Sequence, residues 1–114
     1  MNTVKFLMLL ILSFAFSFVK AQKIDNIFVN LYTDSLKKGT YNYINIDGLL
    51  PNGKYLPLDS SHLSFSSSYG KFYGNSLYID KHCNLEKVSI TVSMKNKPAL
   101  HKEFVMYIKK IEEN

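Results

Sequence analysis

Arginine and tryptophan are missing from this 114-residue chain, and cysteine occurs once. Each absence excludes something. All 14 basic residues are lysine. Nucleic-acid readers use planar arginine forks for bases and phosphates, so no nucleic-acid partner is expected. A single cysteine, Cys83, rules out an internal disulfide, and the fold must stand on packing and backbone pairing. Cys83 could pair with another chain, but a small semi-buried apolar side chain is the simpler reading. No Asn-x-Ser/Thr glycosylation acceptor occurs, and no apolar run long enough to span a bilayer follows the first twenty residues.

What is present begins at the N-terminus. Lys5 precedes an apolar stretch from Phe6 to Val19, and Val19-Lys20-Ala21 offers small residues at the −3 and −1 positions. That layout predicts a cleavable secretory signal over residues 1–21, with a mature protein starting near Gln22 that is secreted or periplasmic. No cysteine stands beside the apolar run for a lipid anchor, so a soluble product without a membrane span is expected. Removal of 21 residues from 114 leaves 93, enough for one small domain. The formal charge of +5 falls to +3 once Lys5 and Lys20 leave with the signal. The remaining lysines read as scattered, with pairs at Lys37-Lys38 and Lys109-Lys110, which suggests a solvated face.

Beyond the signal, period-two patterns alternate with turn chemistry. Ile27, Val29 and Leu31 oppose Phe28 and Tyr32. Ser35 to Gly39 reads as a break, and a second run from Thr40 to Asp47 sets Ile44 and Ile46 against Tyr41 and Tyr43 before Gly48 ends it. Pro51-Asn52-Gly53 is a strong hairpin signal, because Asn and Gly both tolerate positive φ. Pro57 cannot donate to a ladder, so Tyr55 to Leu58 is expected at a sheet edge or in an irregular crossing segment. Leu63 and Phe65 alternate with serines that lead to turns at Tyr69-Gly70 and Gly74-Asn75, around Phe72-Tyr73 and before Leu77 to Ile79. In Lys87 to Lys95, Val88, Ile90, Val92 and Met94 share one face. Pro98 is read as closing that strand, and Glu103 to Lys109 as the last, with Phe104, Met106 and Ile108 inward and Val105 and Tyr107 outward. About seven strands without a helical pattern predict an all-β antiparallel β-sandwich in a single domain, residues 22–114.

Three stretches, Tyr43-Ile44-Asn45-Ile46-Asp47-Gly48, Leu63-Ser64-Phe65-Ser66-Ser67-Ser68-Tyr69-Gly70 and Lys87-Val88-Ser89-Ile90-Thr91-Val92, resemble those of bacterial immunoglobulin-like modules. The composition, rich in Lys, Asn and Tyr, and the signal ending at Ala21-Gln22 are similar to those of small secreted Bacteroidetes proteins. The resemblance implies an immunoglobulin-like sandwich in a non-catalytic adhesion or scaffold role. The Cys-Trp-Cys core of antibody domains is absent, which leaves the cysteine-free bacterial modules as the kin implied.

Candidate chemistry is sparse. His62, His82, Cys83 and His101 contain no His-x-His or Cys-x-x-Cys pair, and adjacent His82 and Cys83 could share an ion only from a loop. Asp47, Asp59 and Asp80 are read at strand ends as turn caps rather than calcium ligands. Ser60-Ser61-His62 beside Asp59 hints at a hydrolase, but no Gly-x-Ser-x-Gly elbow is present. Asp80, Glu86 and Glu103 have no spacing that demands a glycosidase pair. No enzyme activity, metal or cofactor is expected. Aromatics stand out instead: Tyr32, Tyr41, Tyr43 and Tyr107 all fall on outward positions and form the candidate contact surface. Such rings stack on sugars or seal protein interfaces, although cross-strand tyrosines also simply stabilise sheets. The expected function is binding to an envelope protein or polysaccharide. The alternative is a periplasmic inhibitor or immunity-type protein that presents the Leu49 to Lys54 tip or the Ser66 to Gly74 stretch to an enzyme.

Overall fold

Alternation decides which face of each strand is buried, and β9 (Lys87–Met94) follows it most regularly. Val88, Ile90, Val92 and Met94 are buried while Lys87 and Ser89 are exposed. The computed structural model describes residues 23–110, and the expected signal peptide lies outside them. Among the described residues there is no helix. The other strands are β1 (Asn26–Val29), β2 (Ser35–Leu36), β3 (Thr40–Tyr43), β4 (Ile46–Leu49), β5 (Tyr55–Leu58), β6 (Leu63–Ser67), β7 (Lys71–Tyr73), β8 (Ser76–Ile79) and β10 (Lys97–Ile108).

They form three sheets: β1-β4-β5, β3-β8-β7 and β2-β10-β9-β6. All pairings are antiparallel except that of β2 with β10. The inward residues of all three sheets meet in one core built on Ile27, Ile46, Leu77, Ile79, Ile90 and Met106. Each such side chain contributes about 1.5–3 kcal/mol by leaving water. Cys83 is buried in the same cluster as a free thiol.

The described residues form ten strands where about seven were expected, and the differences have local causes. The Thr40 to Asp47 run is broken at Ile44-Asn45, where the backbone N–H of Ile44 donates to Asn75 instead of a ladder partner. Its second half continues through Gly48, which the sequence suggested as a stop. A Cβ at Gly48 would stand 3.0–3.1 Å from Leu58 and Ile24, so glycine sits inside this strand to let them close over it. The stretch expected to be a break, Ser35 to Gly39, contains β2.

Pro98 lies within the last strand rather than ending the one before. The β9–β10 register jumps between the Lys97–Met94 pair and the His101–Ser93 pair, so Pro98 falls in the irregular stretch. A residue without an N–H is tolerated there, because the regular ladder has lapsed. Pro57 sits on β5, at the edge of its sheet, where a missing donor is harmless.

Candidate functional site

The side chain of Asn42 points inward on β3, which forces Tyr41 and Tyr43 outward. Asn42 is buried and fully engaged: its Oδ1 accepts from the Lys37 N–H at 2.8 Å, and its Nδ2 donates to the carbonyls of Leu77 and Lys37. Across the sheet Tyr41 pairs with Tyr78, which pairs with Lys71; Tyr43 pairs with Ser76, which pairs with Tyr73. Small Ser76 between two tyrosines lets Tyr73 lean diagonally on Tyr41, ring centroids 5.5 Å apart and near perpendicular. Tyr78 tilts against Tyr41 at 5.2 Å.

Tyr32, just beyond β1, stacks on Tyr43 at 5.9 Å with only 15° between the planes. Lys71 Nζ sits 5.4 Å from the Tyr73 ring centroid, within cation–π range. Five tyrosines and one lysine thus form a platform on the outer face of β3-β8-β7, made of a Tyr32–Tyr43 stack and a Tyr41–Tyr73–Tyr78 cluster with Lys71. Tyr32 is 74% exposed, Tyr41 57% and Tyr73 51%, so more than half of each residue faces water despite the ring contacts.

A smaller aromatic patch lies on β1-β4-β5. Phe28 meets Tyr55 edge-on at 5.9 Å, and Lys102 Nζ of β10 reaches within 5.8 Å of the Phe28 ring. Both rings line a shallow cleft of about 350 Å³ with Val29, Asn30 and Asp47. The Asn30 amide donates to Asp47 at 3.0 Å. Asp47 therefore serves inside β4 and is not the strand-end cap expected.

Of the four tyrosines singled out in the sequence, the structure brings Tyr32, Tyr41 and Tyr43 together. Tyr107 is not with them. It belongs to β10 in the four-stranded sheet, between Ser35 and Lys87, because β10 pairs with β2 and β9 rather than with β3. Tyr73 and Tyr78 were overlooked. The signal that could have found them is the short Tyr73-Gly74-Asn75-Ser76 connection, which folds two aromatic strands onto each other.

The other candidates resolve into turns. Asp59 Oδ1 accepts the Ser61 backbone N–H at 2.9 Å, the Ser61 hydroxyl, and His62 Nδ1 at 3.3 Å. These hydrogen bonds, led by that of the Ser61 hydroxyl, hold the Asp59 carboxyl below its ordinary pKa. A serine relay needs the imidazole between acid and hydroxyl, with one nitrogen on each. Here acid and hydroxyl bond each other directly, so the hydroxyl proton is held by the carboxylate. Asp80 accepts the His82 N–H at 3.3 Å through Oδ2 and the Cys83 N–H at 3.1 Å through its carbonyl, again closing a turn. That turn leaves His82 exposed and Cys83 buried. Among the described residues no three His, Cys, Asp or Glu side chains are grouped to hold a metal. Partial burial, and then the nearby Cys83 and Asp80, push the Tyr69 hydroxyl above its ordinary pKa of 10.0. Among the described residues no helix is long and apolar enough to cross a membrane.

No family model, curated protein or solved structure matches this chain.

Proposed function

We propose that this chain is a secreted, non-catalytic immunoglobulin-like module that binds a macromolecule of the cell envelope, with polysaccharide the first candidate. The observation that carries the reading is the platform of Tyr32, Tyr41, Tyr43, Tyr73 and Tyr78. Rings that served only to hold strands together would bury their faces against neighbours. Four of the platform rings, Tyr32, Tyr41, Tyr43 and Tyr73, stay exposed despite their ring contacts, and exposed rings of this kind stack on sugars.

The immunoglobulin-like assignment is supported by strand order. β1, the split 40–49 run, β8 and β7 follow the A-B-E-D order of one sandwich sheet, and β6, β9 and β10 follow the C-F-G order of the other. β5 has no counterpart in that scheme and marks a departure from it. Export rests on the Lys5 to Ala21 pattern.

The test is binding of the purified protein to a panel of polysaccharides and to envelope extract, beside the triple variant Y32S/Y41S/Y43S. The triple variant is expected to lose about tenfold or more in affinity, equivalent to about 1.4 kcal/mol, while Tyr107→Ser, off the platform, binds as the parent does. Equal binding by the triple variant removes the platform as the contact surface.

A second reading has its own observation. The Pro51-Asn52-Gly53 tip is exposed and borders a cleft of about 240 Å³ lined by Lys23, Leu50, Pro51 and Asn52. A projecting loop of this kind suits an inhibitor that plugs an enzyme. Exchange of residues 50–54 for another hairpin turn would then abolish binding, where platform variants would not.

A further inference from the structure

Two lysine pairs 72 positions apart in the sequence meet at one end of the molecule. β2 and β10 run parallel, so the residues that follow each strand emerge on the same side: Lys37-Lys38 after Leu36, and Lys109-Lys110 after Ile108. The Lys109 N–H donates to the Leu36 carbonyl at 2.9 Å, which keeps the two exits together. The buried Asn42 amide grips both the N–H and the carbonyl of Lys37 and fixes where that pair begins. A third segment joins them. The Gly39 N–H donates to the Ile79 carbonyl, which brings the end of β8 and Lys81 alongside. Lys37, Lys38, Lys81, Lys109 and Lys110 line a single cavity of about 200 Å³.

Five lysine residues line one hollow, and like charges gathered this closely repel each other. Among the described residues only Lys110 approaches a carboxylate, that of Glu86 at 3.8 Å, and both side chains are more than 70% exposed, where an ion pair is weak. The neighbouring Asp80 carboxylate is engaged by the His82 N–H. We propose that this cradle is a binding site for a compact multivalent phosphate group, either a free oligophosphate or the phosphomonoester of a lipid headgroup.

Three features select that chemistry. Lysine presents point charges with three donors each on flexible stems, and these suit a charge-dense tetrahedral anion. The cavity is smaller than the roughly 300–1,000 Å³ of sites that enclose drug-sized ligands, so it takes one or two phosphate groups rather than a whole sugar or nucleotide. The five lysines also gather at one hollow instead of forming the stripe along which a nucleic-acid backbone would track. The site is independent of the tyrosine platform, and either can fail without the other.

The experiment is calorimetric titration of the purified protein, expressed from the full chain, with tripolyphosphate near physiological ionic strength (~0.15 M). Orthophosphate serves as the weaker comparison. Parallel assays use vesicles of phosphatidylcholine with and without phosphatidic acid, and a single-stranded oligonucleotide. Tripolyphosphate is expected to bind at least about tenfold more tightly than orthophosphate and to raise the melting temperature through linkage. The pairs K37Q/K38Q and K109Q/K110Q should each weaken binding about tenfold, because each strand exit supplies two of the five cradle lysines, whereas K95Q/K97Q should bind as the parent does.

Glu86→Gln should tighten binding, since it removes the one carboxylate among the described residues that engages a cradle lysine. Removal of residues 111–114, which carry Glu112 and Glu113, should leave affinity equal or higher. Binding to phosphatidic acid vesicles alone identifies the headgroup as the source, and binding in solution identifies the free anion. No saturable binding to either, equal losses in K95Q/K97Q, a requirement for only one lysine pair, or binding to the oligonucleotide alone overturns the proposal.

Discussion

A backbone carbonyl decides what Gly70 can become. Its φ of +88° lies in the left-handed region, and an added Cβ would stand 2.7 Å from the Tyr78 carbonyl oxygen, inside contact distance. Gly53 has a similar φ of +84°, but an added Cβ there meets nothing within 4 Å. Gly53→Ala should therefore cost about 1–2 kcal/mol of backbone strain alone. Gly70→Ala carries the same strain plus a clash that only movement of β8 relieves, and it should lower the denaturant midpoint distinctly further. The comparison also bears on the platform, because Tyr78 would shift with its strand. At this scale much was legible: the inward or outward sense of Tyr41, Tyr43, Val88 and Ile90 follows from alternation alone. Legibility ended where a residue's role depends on a partner distant in sequence. Nothing near Tyr73 says that its ring will lean on Tyr41, and nothing near Lys38 says that Lys109 is its neighbour.

Among the elements, the break at Ile44-Asn45 matters most, and Asn75 closes it. The Asn75 side-chain amide donates to the carbonyls of Ile44 at 3.2 Å and Leu58 at 2.9 Å, while its own carbonyl receives the Ile44 N–H. One buried residue thus ties the interrupted strand to β5 and to the turn before β8. Asn75→Ala leaves those carbonyls without their donor, at about 1–3 kcal/mol for each group left unsatisfied. Chemical denaturation should show a loss of at least about 2 kcal/mol, against about 0.5 kcal/mol or less for an exposed substitution such as Asn84→Ala. This device explains why the elements were only partly readable. Thr40 to Leu49 has the composition of one long strand, and its interruption is imposed by a hydrogen-bonding residue some thirty positions away. β2 escaped notice because two residues cannot show a period. Pro57 takes the edge, one of the two places its sequence allowed, because the missing donor acts locally. Pro98 was misread because the same signal permits either a strand end or an irregular ladder.

For the molecule as a whole, the pairing of β2 with β10 joins the first third of the described chain to its last residues. Met106 and Ile108 of β10 are buried in the shared core beside Leu36. A chain ending at Val105 loses both side chains and the only partner of β2, and it should be largely unfolded by circular dichroism. A chain ending at Lys110 should unfold cooperatively with strand-type spectra and no helical signal. If the shorter chain keeps a cooperative transition, the core does not need this closure. Parallel alignment has a mechanical consequence too. Once β1 is stripped from β4, tension on the two ends would drag β2 and β10 lengthwise past each other and load their hydrogen bonds together, where a hairpin would open one rung at a time. Their register holds two residue pairs, so an anchored copy under traction would then give way at this short clamp, with the lysine-bearing exits drawn apart as it slips.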